Sequence, residues 1–377
     1  MPLDTLPTPS ALIDVPRMTR NIARMQQRLD ALGVRFRPHV KTTKCEPVVR
    51  AQLAAGARGI TVSTLKEAEQ FFAQGIGDIV YAVGMAAAKL PQALALRRRG
   101  CDLKLVADSL ASATAIAAFG REHGTAFEVW IEIDVDGHRS GLKPDDAALV
   151  EVGRALMAGG ATLGGVIAHA GSSYDYHTQA DLVRIAEQER AGAVQAAERL
   201  RAAGLPCPVV SIGSTPTALS AERLDGVTEV RAGVYVLFDL VMHNVGVCRT
   251  DEIALSVLTT VIGHQEDKGW AIVDAGWMAM SRDRGTQRQT RDFGYGQVCD
   301  ENGTPLEGYL LGSANQEHGI ISRSGDAPDR DIAARFPVGT RLRILPNHAC
   351  ATGAQHPEYQ AIGEDGPVGV WARFYGW

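Results

Sequence analysis

The sequence lacks several features that would mark a membrane or nucleic-acid-binding protein. It contains no run of about 18 apolar residues, so we expect no membrane-spanning helix. Its first residues have neither the basic stretch nor the apolar core of a secretory signal peptide. Basic residues are not in excess, since 38 Lys and Arg stand against 43 Asp and Glu. We therefore expect neither a nucleic-acid partner nor a membrane partner.

Cysteine is scarce, and its positions are scattered. Six cysteines occur in 377 residues, and no two of them form a CxxC pair. A disulfide framework is not expected in a chain of this length, so the pattern favours a reducing compartment. We accordingly expect a cytoplasmic protein. A hydrophobic content of 45% and a charged content of 21% are typical of globular proteins, and the length suffices for two domains.

The first part of the chain alternates between apolar, β-branched runs and amphipathic stretches. Eight strands are predicted, at Val34–Val40, Gly59–Val62, Asp78–Val83, Leu103–Ala107, Phe127–Asp134, Leu163–His169, Val209–Gly213 and Glu229–Tyr235. The patterns between them predict helices, for example at Leu65–Gln74, Pro91–Arg99, Ala111–Glu122 and Ala180–Ala202. Continuous apolar strands that alternate with helices indicate a parallel sheet covered on both faces. Eight such units predict a (β/α)8 barrel, an α/β fold, over residues 16–245.

The residue pattern changes near residue 250, because helical patterns become rare after it. Strands are predicted at Ile253–Ile262, Gly269–Asp274, Gly308–Leu311 and Arg341–Leu345, separated by glycine-containing turns. This pattern predicts a mostly antiparallel β-domain, formed by residues 246–377 together with residues 1–15. The segment Ser10–Val15 is expected to join it as a strand, ahead of a helix from about Met18 to Leu32.

A lysine at the end of the first barrel strand is the first candidate for catalysis. In this type of barrel the active site lies at the carboxyl ends of the strands. Lys41 follows such a strand in Arg37-Pro-His-Val-Lys41, and a partly desolvated lysine can attack an aldehyde such as that of pyridoxal phosphate. Lys44 competes for this role but lies farther from the strand end. The alternative is that Lys41 is a solvated loop residue.

Two glycine-containing loops follow the last two barrel strands. Barrels often bind phosphate with the loops after strands seven and eight, where backbone N–H groups and hydroxyls meet the anion. In the first loop, Gly213-Ser-Thr-Pro-Thr217, the candidates are Gly213, Ser214 and Thr215. In the second, Gly233-Val-Tyr235, they are Gly233 and Tyr235. The alternatives are an ordinary turn for the first loop and core packing for Tyr235.

Three further side chains end the middle strands. Arg139 lies in a polar loop after strand five, where its guanidinium could meet a carboxylate or a phenolate. His169 ends strand six, and its ring could stack on a cofactor. Tyr174 follows in the same loop as a candidate for substrate contact. The alternatives are a surface ion pair for Arg139 and a structural role for His169.

A pair of metal-ligand residue types lies near the end of the chain. His348 and Cys350 follow an apolar strand, and on an extended chain residues i and i+2 share one face. An imidazole and a thiolate favour zinc, and two protein ligands leave positions open for water or substrate, as in catalytic sites. Glu317 and His318 are candidates for a place near this pair. The alternative is an incidental His-x-Cys match.

Taken together, these segments resemble the fold-type III pyridoxal-phosphate (PLP) enzymes of the D-threonine aldolase and D-serine dehydratase family. The motifs that carry the resemblance are Arg37-Pro-His-Val-Lys41, Asp134-x-Asp-Gly-x-Arg139-x-Gly141, His169-x-Gly171, Gly233-x-Tyr235, Asp274-Ala-Gly276, Glu317-His-Gly319 and His348-x-Cys350. The resemblance implies an alanine-racemase-like barrel followed by a β-domain, and a homodimer. The phosphate loop departs from the pattern, because many aldolases have a longer glycine run there.

The resemblance also implies a role for each candidate. Lys41 matches the lysine that holds PLP, Arg139 the arginine near the ring and substrate carboxylate, and His169 the residue packed on the pyridine. The phosphate cup is matched by Gly213, Ser214, Thr215, Gly233 and Tyr235. The metal ligands, for zinc or another divalent ion such as Mn, Mg or Co, are matched by His348 and Cys350.

The metal pair points to one reaction within the family. The aldolases tend to have His-x-Asp and the dehydratases His-x-Cys, which is the pair in this chain. The resemblance therefore implies a lyase that converts a β-hydroxy-D-amino acid, such as D-threo-3-hydroxyaspartate or D-serine, to a 2-oxo acid and ammonia. The alternative is retro-aldol cleavage to glycine and an aldehyde. A non-catalytic PLP carrier would lack residues 250–377, and for a racemase no second base can be identified.

Overall fold

The computed structural model describes residues 3–325 and 328–377. Residues 1, 2, 326 and 327, which the sequence assigns to the β-domain, lie outside the described part. The chain divides into two units. One consists of the residues up to Ala23 and of Val234–Arg373, and the other of Arg24–Gly233 and Phe374–Trp377. Among the described residues, no helix is long and apolar enough to cross a membrane.

The second unit contains a parallel barrel of eight strands. These strands are β2 (Arg35–Pro38), β3 (Ile60–Val62), β4 (Asp78–Gly84), β5 (Asp102–Ala107), β6 (Glu128–Ile133), β7 (Thr162–Ala168), β8 (Val209–Ile212) and β9 (Glu229–Ala232). From β3 to β9 each strand pairs with the next along the chain, and β9 pairs with β2. A parallel bridge between His39 and Thr61 links the ends of β2 and β3. All eight predicted strands are confirmed, with some ends shifted.

Helices separate the barrel strands, as the alternating pattern predicts. They are α2 (Glu46–Ala54), α3 (Leu65–Ala73), α4 (Leu90–Arg98), α5 (Leu110–Glu122), α6 (Ala148–Ala158), α7 (Gln179–Ala202) and α8 (Thr215–Ser220). The longest, α7, begins where the Thr178 hydroxyl accepts the N–H of Asp181, which satisfies a backbone donor of the first turn. Short alanines on its buried face let the helix pack closely on the sheet. The carboxyl ends of the strands are thereby held at one rim.

The first unit is a β-structure whose sheet has nine strands. They are β1 (Ser10–Asp14), β10 (Leu255–Gln265), β11 (Trp270–Val273), β12 (Gly296–Cys299), β13 (Pro305–Ala314), β14 (Gly319–Arg323), β15 (Arg341–Pro346), β16 (Glu358–Gly363) and β17 (Gly366–Ala372). Six of them close into an antiparallel barrel, because β10 pairs with both β11 and β15. The core of this barrel is aliphatic, with Val257, Val273 and Ile344 fully buried.

Strand β1 joins this sheet as expected, pairing antiparallel with β10 and parallel with β16. It leads into α1 (Val15–Ala31), close to the predicted helix. The remaining helices of the chain are short and follow Gly233. They are α9 (Leu240–Val245), α10 (Trp277–Met280), α11 (Ile332–Arg335) and α12 (Ala349–Gly353). The sequence did not predict β12, β14, β16 and β17, so the β-structure is more extensive than expected.

Candidate active site

Lys41 lies at the rim of the parallel barrel, in a 3-10 turn that follows β2. Its side chain is exposed. The strand beneath it is fixed by Arg37, whose Nε lies 2.8 Å from Glu229 and whose Nη1 lies 2.8 Å from Asp78. Because Arg37 and Glu229 are buried, these contacts hold the strand end in place. Lys44 comes after the turn and forms an ion pair with Glu67.

Two imidazoles lie near Lys41 at the barrel rim. His169 follows β7, and its Nδ1 is 2.9 Å from the carbonyl oxygen of Gly213. The pKa of His169 is lowered to about 3, mainly because the ring is buried. The hydrogen bond to Gly213 acts to raise this pKa, while the positive charges of Arg139 and Lys41 act to lower it. Burial also lowers the pKa of His39, aided by Lys41. Both rings are therefore neutral near pH 7.

The loop after β8 is tightly held and has no room for a side chain at its glycine. Gly213 has a φ of +129°, and a Cβ placed there would lie 2.2 Å from the carbonyl oxygen of Arg231. Ser214 then begins α8, where its hydroxyl accepts the N–H of Thr217 and the Thr217 hydroxyl accepts the N–H of Ser214. Thr215 is the buried first residue of that helix. The loop is thus a fixed turn with hydroxyls on it.

The loop after β9 approaches the turn that carries Lys41. A Cβ on Gly233 would lie 3.0 Å from the carbonyl oxygen of His39 and 3.3 Å from the Thr42 hydroxyl. Glycine therefore lets the two strand ends come close together. Tyr235 is fully buried in the 3-10 turn Val234–Val236, which belongs to the other unit. Its assignment to the phosphate cup stays a prediction.

The loops after β6 and β7 are joined to each other. Asp136 accepts hydrogen bonds from the N–H and the hydroxyl of Ser172, both at 2.8 Å. In the first loop the Arg139 side chain is 56% exposed and lies 3.6 Å from Glu132. In the second, the ring of Tyr174 is centred 6.4 Å from that of His169. Arg139 thus has only a loose ion pair, which leaves its guanidinium accessible.

The predicted metal pair lies in the β-unit, and its geometry differs from the extended chain that the sequence suggested. His348 is the last extended residue before α12, while Cys350 lies in the first turn of that helix. Their side chains nevertheless hydrogen-bond to each other. The expectation that both residues lie on one extended strand is therefore wrong, because α12 begins at Ala349. The two side chains approach each other at the start of that helix instead.

Asp283 contacts the imidazole of His348. Its Oδ2 lies 2.7 Å from Nδ1 of His348. Burial lowers the pKa of His348, but the hydrogen bonds with Asp283 and Cys350 outweigh it and raise the pKa to about 11. The same bond lowers the pKa of Asp283. A carboxylate on one imidazole nitrogen leaves the other nitrogen for a metal, which is the usual arrangement around metal-binding histidines.

The donor set fits a divalent metal in an open site. Imidazole and thiolate are zinc-type ligands, and an open site keeps positions for water or substrate. Within residues 3–325 and 328–377, no cluster of three or more His, Cys, Asp and Glu side chains could hold a metal by itself. Glu317 and His318 are exposed on the turn between β13 and β14. Their predicted place near the metal pair stays a prediction.

The barrel rim fits an anionic aromatic cofactor. Nδ1 of His39 is buried and makes no hydrogen bond within the described part of the chain. Around it lie an ammonium, a guanidinium and a second neutral imidazole, those of Lys41, Arg231 and His169. A phosphate and a phenolate would complement the cations, and a flat ring would cover the imidazoles.

Two residues of this rim were missed in the sequence. Arg231 lies on β9 and is buried, where its Nη2 donates to the carbonyl oxygen of Ala168 at 2.7 Å. It could have been found from the sequence, because it is a charged residue within a predicted buried strand, between Val230 and Ala232. Glu189 lies in the middle of α7 and accepts the N–H groups of Ala170 and Gly213. Nothing in its helical neighbourhood distinguishes it from exposed glutamates.

Two family models match the chain. The model described as "Alanine racemase, N-terminal domain" matches residues 13–240. The model described as "Putative serine dehydratase domain" matches residues 254–362. The first covers more than half of the chain and coincides with the parallel barrel. The second coincides with most of the β-structure.

The chain is also similar to individual dehydratases and to an aldolase. The chain is 71% identical to D-threo-3-hydroxyaspartate dehydratase of Delftia sp. (strain HT23), over 99% of this chain and 98% of that protein. The solved structure of the Delftia enzyme has a TM-score of 0.99, 71% identity and full coverage of both chains. D-serine dehydratase of Dictyostelium discoideum is 28% identical over 97% of this chain and 96% of that protein. D-threonine aldolase of Arthrobacter sp is 28% identical over 98% of this chain and 93% of that protein.

The chain belongs to the fold-type III, PLP-dependent family that contains these dehydratases and the D-threonine aldolase. The family resemblance predicted from the sequence motifs is confirmed. A mutant of the Delftia enzyme has also been solved in a form described as metal-free, with 70% identity and a TM-score of 0.99, and it covers 100% of both chains.

Proposed function

We propose that this protein is a lyase that dehydrates a β-hydroxy-D-amino acid and releases a 2-oxo acid and ammonia. The observation that carries the proposal is the high identity, over nearly the full length, to the Delftia dehydratase. The His348–Cys350 pair supports it, because this is the pair that the sequence resemblance links to dehydratases rather than aldolases. D-threo-3-hydroxyaspartate is the first substrate to test.

The barrel rim supplies the residues for PLP, which when bound provides an electron sink for the substrate's Cα. Lys41 would hold the cofactor through its side-chain amine and would serve as the base for the proton on the substrate's Cα. His169 would pack on the ring and, being neutral, would add no charge beside it. Arg139 would bind the phenolate or the substrate carboxylate with its guanidinium.

The loops after β8 and β9 would hold the phosphate. Ser214 and Thr215 offer hydroxyls, and Gly213 and Gly233 let the backbone approach the anion closely. Tyr235 completes this cup in the proposal with its phenolic hydroxyl. The fixed turn at Gly213 keeps these groups in position before the cofactor binds.

His348 and Cys350 would hold a divalent metal, which when bound would supply a Lewis acid for the β-hydroxyl of the substrate. Asp283 orients the His348 ring so that one nitrogen faces away from the carboxylate. Zinc suits this donor set, and Mn, Mg or Co are the alternatives. Glu317 and His318 would lie beside the substrate or the metal ligands.

A 3-hydroxyaspartate substrate needs a cation for its second carboxylate. Arg284 is engaged with Asp292 at 2.9 Å. Arg282 is exposed, and its guanidinium is 4.6 Å from the centre of the Trp277 ring. It directly precedes Asp283, the residue that supports the metal pair. Arg282 is therefore the better candidate for the second carboxylate.

Retro-aldol cleavage to glycine and an aldehyde is the second candidate function. It is supported by the similarity to D-threonine aldolase, and it uses the same cofactor lysine and metal. The reactions differ in the bond that breaks, which is Cβ–O in dehydration and Cα–Cβ in cleavage. A homodimer and a cytoplasmic location, both expected from the sequence, complete the proposal, and analytical ultracentrifugation measures the first.

Product analysis tests this proposal. The purified enzyme, supplied with PLP and zinc, is incubated separately with D-threo-3-hydroxyaspartate, D-serine and D-threonine. We expect ammonia and 2-oxo acid in equal amounts, with the highest kcat/KM for D-threo-3-hydroxyaspartate. Glycine as the main product with any of them would replace the dehydratase with the aldolase. The L-isomers serve as controls and should yield neither product.

A further inference from the structure

Glu189 is a buried carboxylate that the proposed mechanism does not use. It lies on α7, and its side chain is 0% exposed. One oxygen, Oε1, accepts the N–H of Ala170 at 2.8 Å and the N–H of Gly213 at 3.1 Å. These two amides belong to the loops after β7 and β8. A single side chain on a helix thus links the ends of two barrel strands.

The two linked loops carry residues that we assign to PLP binding. Ala170 directly follows His169, and Gly213 directly precedes Ser214. Two further contacts join the same loops, namely Nδ1 of His169 to the Gly213 carbonyl oxygen at 2.9 Å and Ser173 to Ser214 at 2.8 Å. Glu189 therefore adds two hydrogen bonds to those that already connect the loop carrying His169 with the proposed phosphate loop.

Burying a carboxylate here is costly, and that cost needs a reason. Burial raises the pKa of Glu189, although hydrogen bonds and the charge of Arg231 lower it in part. An apolar side chain would avoid the cost of the charge. It would, however, leave two buried N–H groups without acceptors. The carboxylate is thus suited to holding two amides at one point.

We propose that Glu189 is a positioning residue for PLP, which fixes the His169 ring relative to the phosphate loop. This inference rests on the proposed function, because it requires that PLP binds at this rim. Glu189 touches neither cofactor nor substrate in this assignment. It acts through the backbone of Ala170 and Gly213. Its loss should weaken PLP binding in a protein that is still folded.

The test is a PLP titration of the full-length enzyme after removal of its cofactor. The variants are Glu189→Leu, Glu189→Asp and Glu189→Gln. We expect the first two to raise the Kd for PLP about tenfold or more and to shift the absorbance maximum of the bound cofactor. The Gln variant should stay within about threefold of the wild type, since its amide oxygen still accepts both N–H groups.

Glu187→Gln is the matched control, because Glu187 lies two residues away on α7, is 38% exposed and, in the described contacts, pairs with Arg190 and Arg223 and not with the barrel loops. Its Kd should equal that of the wild type. If Glu189→Leu does not fold, Glu189→Asp decides, since it keeps the charge and shortens the reach. A wild-type Kd in a folded Asp or Leu variant overturns the inference, even if its Tm falls. Failure of the wild type to bind PLP would instead reject the proposed function.

Discussion

The ammonium of Lys44 lies 2.9 Å from Oε1 of Glu67, and the two side chains are only 14% and 1% exposed. Glu67 also accepts the N–H of Ser63, at 3.0 Å. Lys44 is therefore committed to a buried carboxylate. Lys41, three residues earlier, is exposed and forms no ion pair among the described residues. This difference supports the proposal that Lys41 holds the cofactor and that Lys44 has a structural task.

Replacing Lys44 should cost stability without removing the cofactor. In Lys44→Ala the Glu67 carboxylate is left buried without its cation, which should lower the free energy of unfolding by about 3 kcal/mol. The absorbance of the lysine-bound cofactor should remain. Urea denaturation and an absorbance spectrum measure the two effects. Lys66→Ala is the control, because its pair with Glu69 is far more exposed than the Lys44 pair, at 42% and 30%, and should contribute at most about 1 kcal/mol. Loss of the cofactor band in Lys44→Ala would argue against the assignment.

The turn at Gly213 should tolerate no side chain. In Gly213→Ala the Cβ meets the Arg231 carbonyl oxygen, and the φ of +129° is unfavourable for alanine. We expect a loss of about 3 kcal/mol in unfolding free energy and weaker PLP binding. Gly204→Ala is the matched control, since its φ is +76° but no atom lies within 4 Å of the added Cβ. It should cost about 1 kcal/mol and leave PLP binding unchanged. Equal losses in both variants would show that crowding at Gly213 does not matter.

The neutral state of His169 predicts how stability depends on pH. Its folded pKa of about 3 lies below the ordinary value of 6.5, so only the unfolded chain gains a proton as the pH falls through 6.5. His169 therefore reduces stability between pH 6.5 and 3 and has no such effect above that range. In His169→Gln the unfolding free energy should fall less between pH 7 and pH 5 than in the wild type. Urea midpoints at several pH values measure this, and an unchanged pH dependence would contradict it. His39→Gln should act in the same direction.

Metal affinity should depend on the carboxylate behind His348. In Asp283→Asn the imidazole loses its charged partner, and zinc affinity should fall about tenfold to a hundredfold. Cys350→Ala should remove a ligand and abolish tight zinc binding. Competition with a chromogenic chelator measures the affinity, while PLP content should stay constant in both variants. Asp292→Asn, which loses only the pair with Arg284, is the control and should bind zinc like the wild type. Normal zinc binding by Cys350→Ala would reject the metal assignment.

The sequence predicted the parallel barrel well and the β-structure only in part. Parallel strands are buried on both faces, so β2 to β9 stand out as continuous apolar runs between helices. Strand β12 begins at a glycine, spans Gly296–Cys299 and pairs with distant β15, so local pattern gave little sign of it. Strand β17 contains Gly366, Pro367 and Gly369, residues that usually indicate turns.

The candidate site shows the same division between local and long-range information. Lys41, His169 and the Gly213 loop could be predicted because they sit at strand ends, where chain order alone places them at one rim. Asp283 could not, because it reaches His348 from 65 positions away. Glu189 could not either, because only the packing of α7 on the barrel makes it differ from its exposed neighbours.

Identification of the lysine that holds the cofactor tests the central claim most directly. The PLP-loaded enzyme is reduced with borohydride, digested and analysed by mass spectrometry, which locates the added pyridoxyl group. We predict that the group is found on Lys41, in about one copy per chain, and that Lys41→Ala carries none. A pyridoxyl group on Lys44 or on any other lysine, with Lys41 unmodified, would contradict the account.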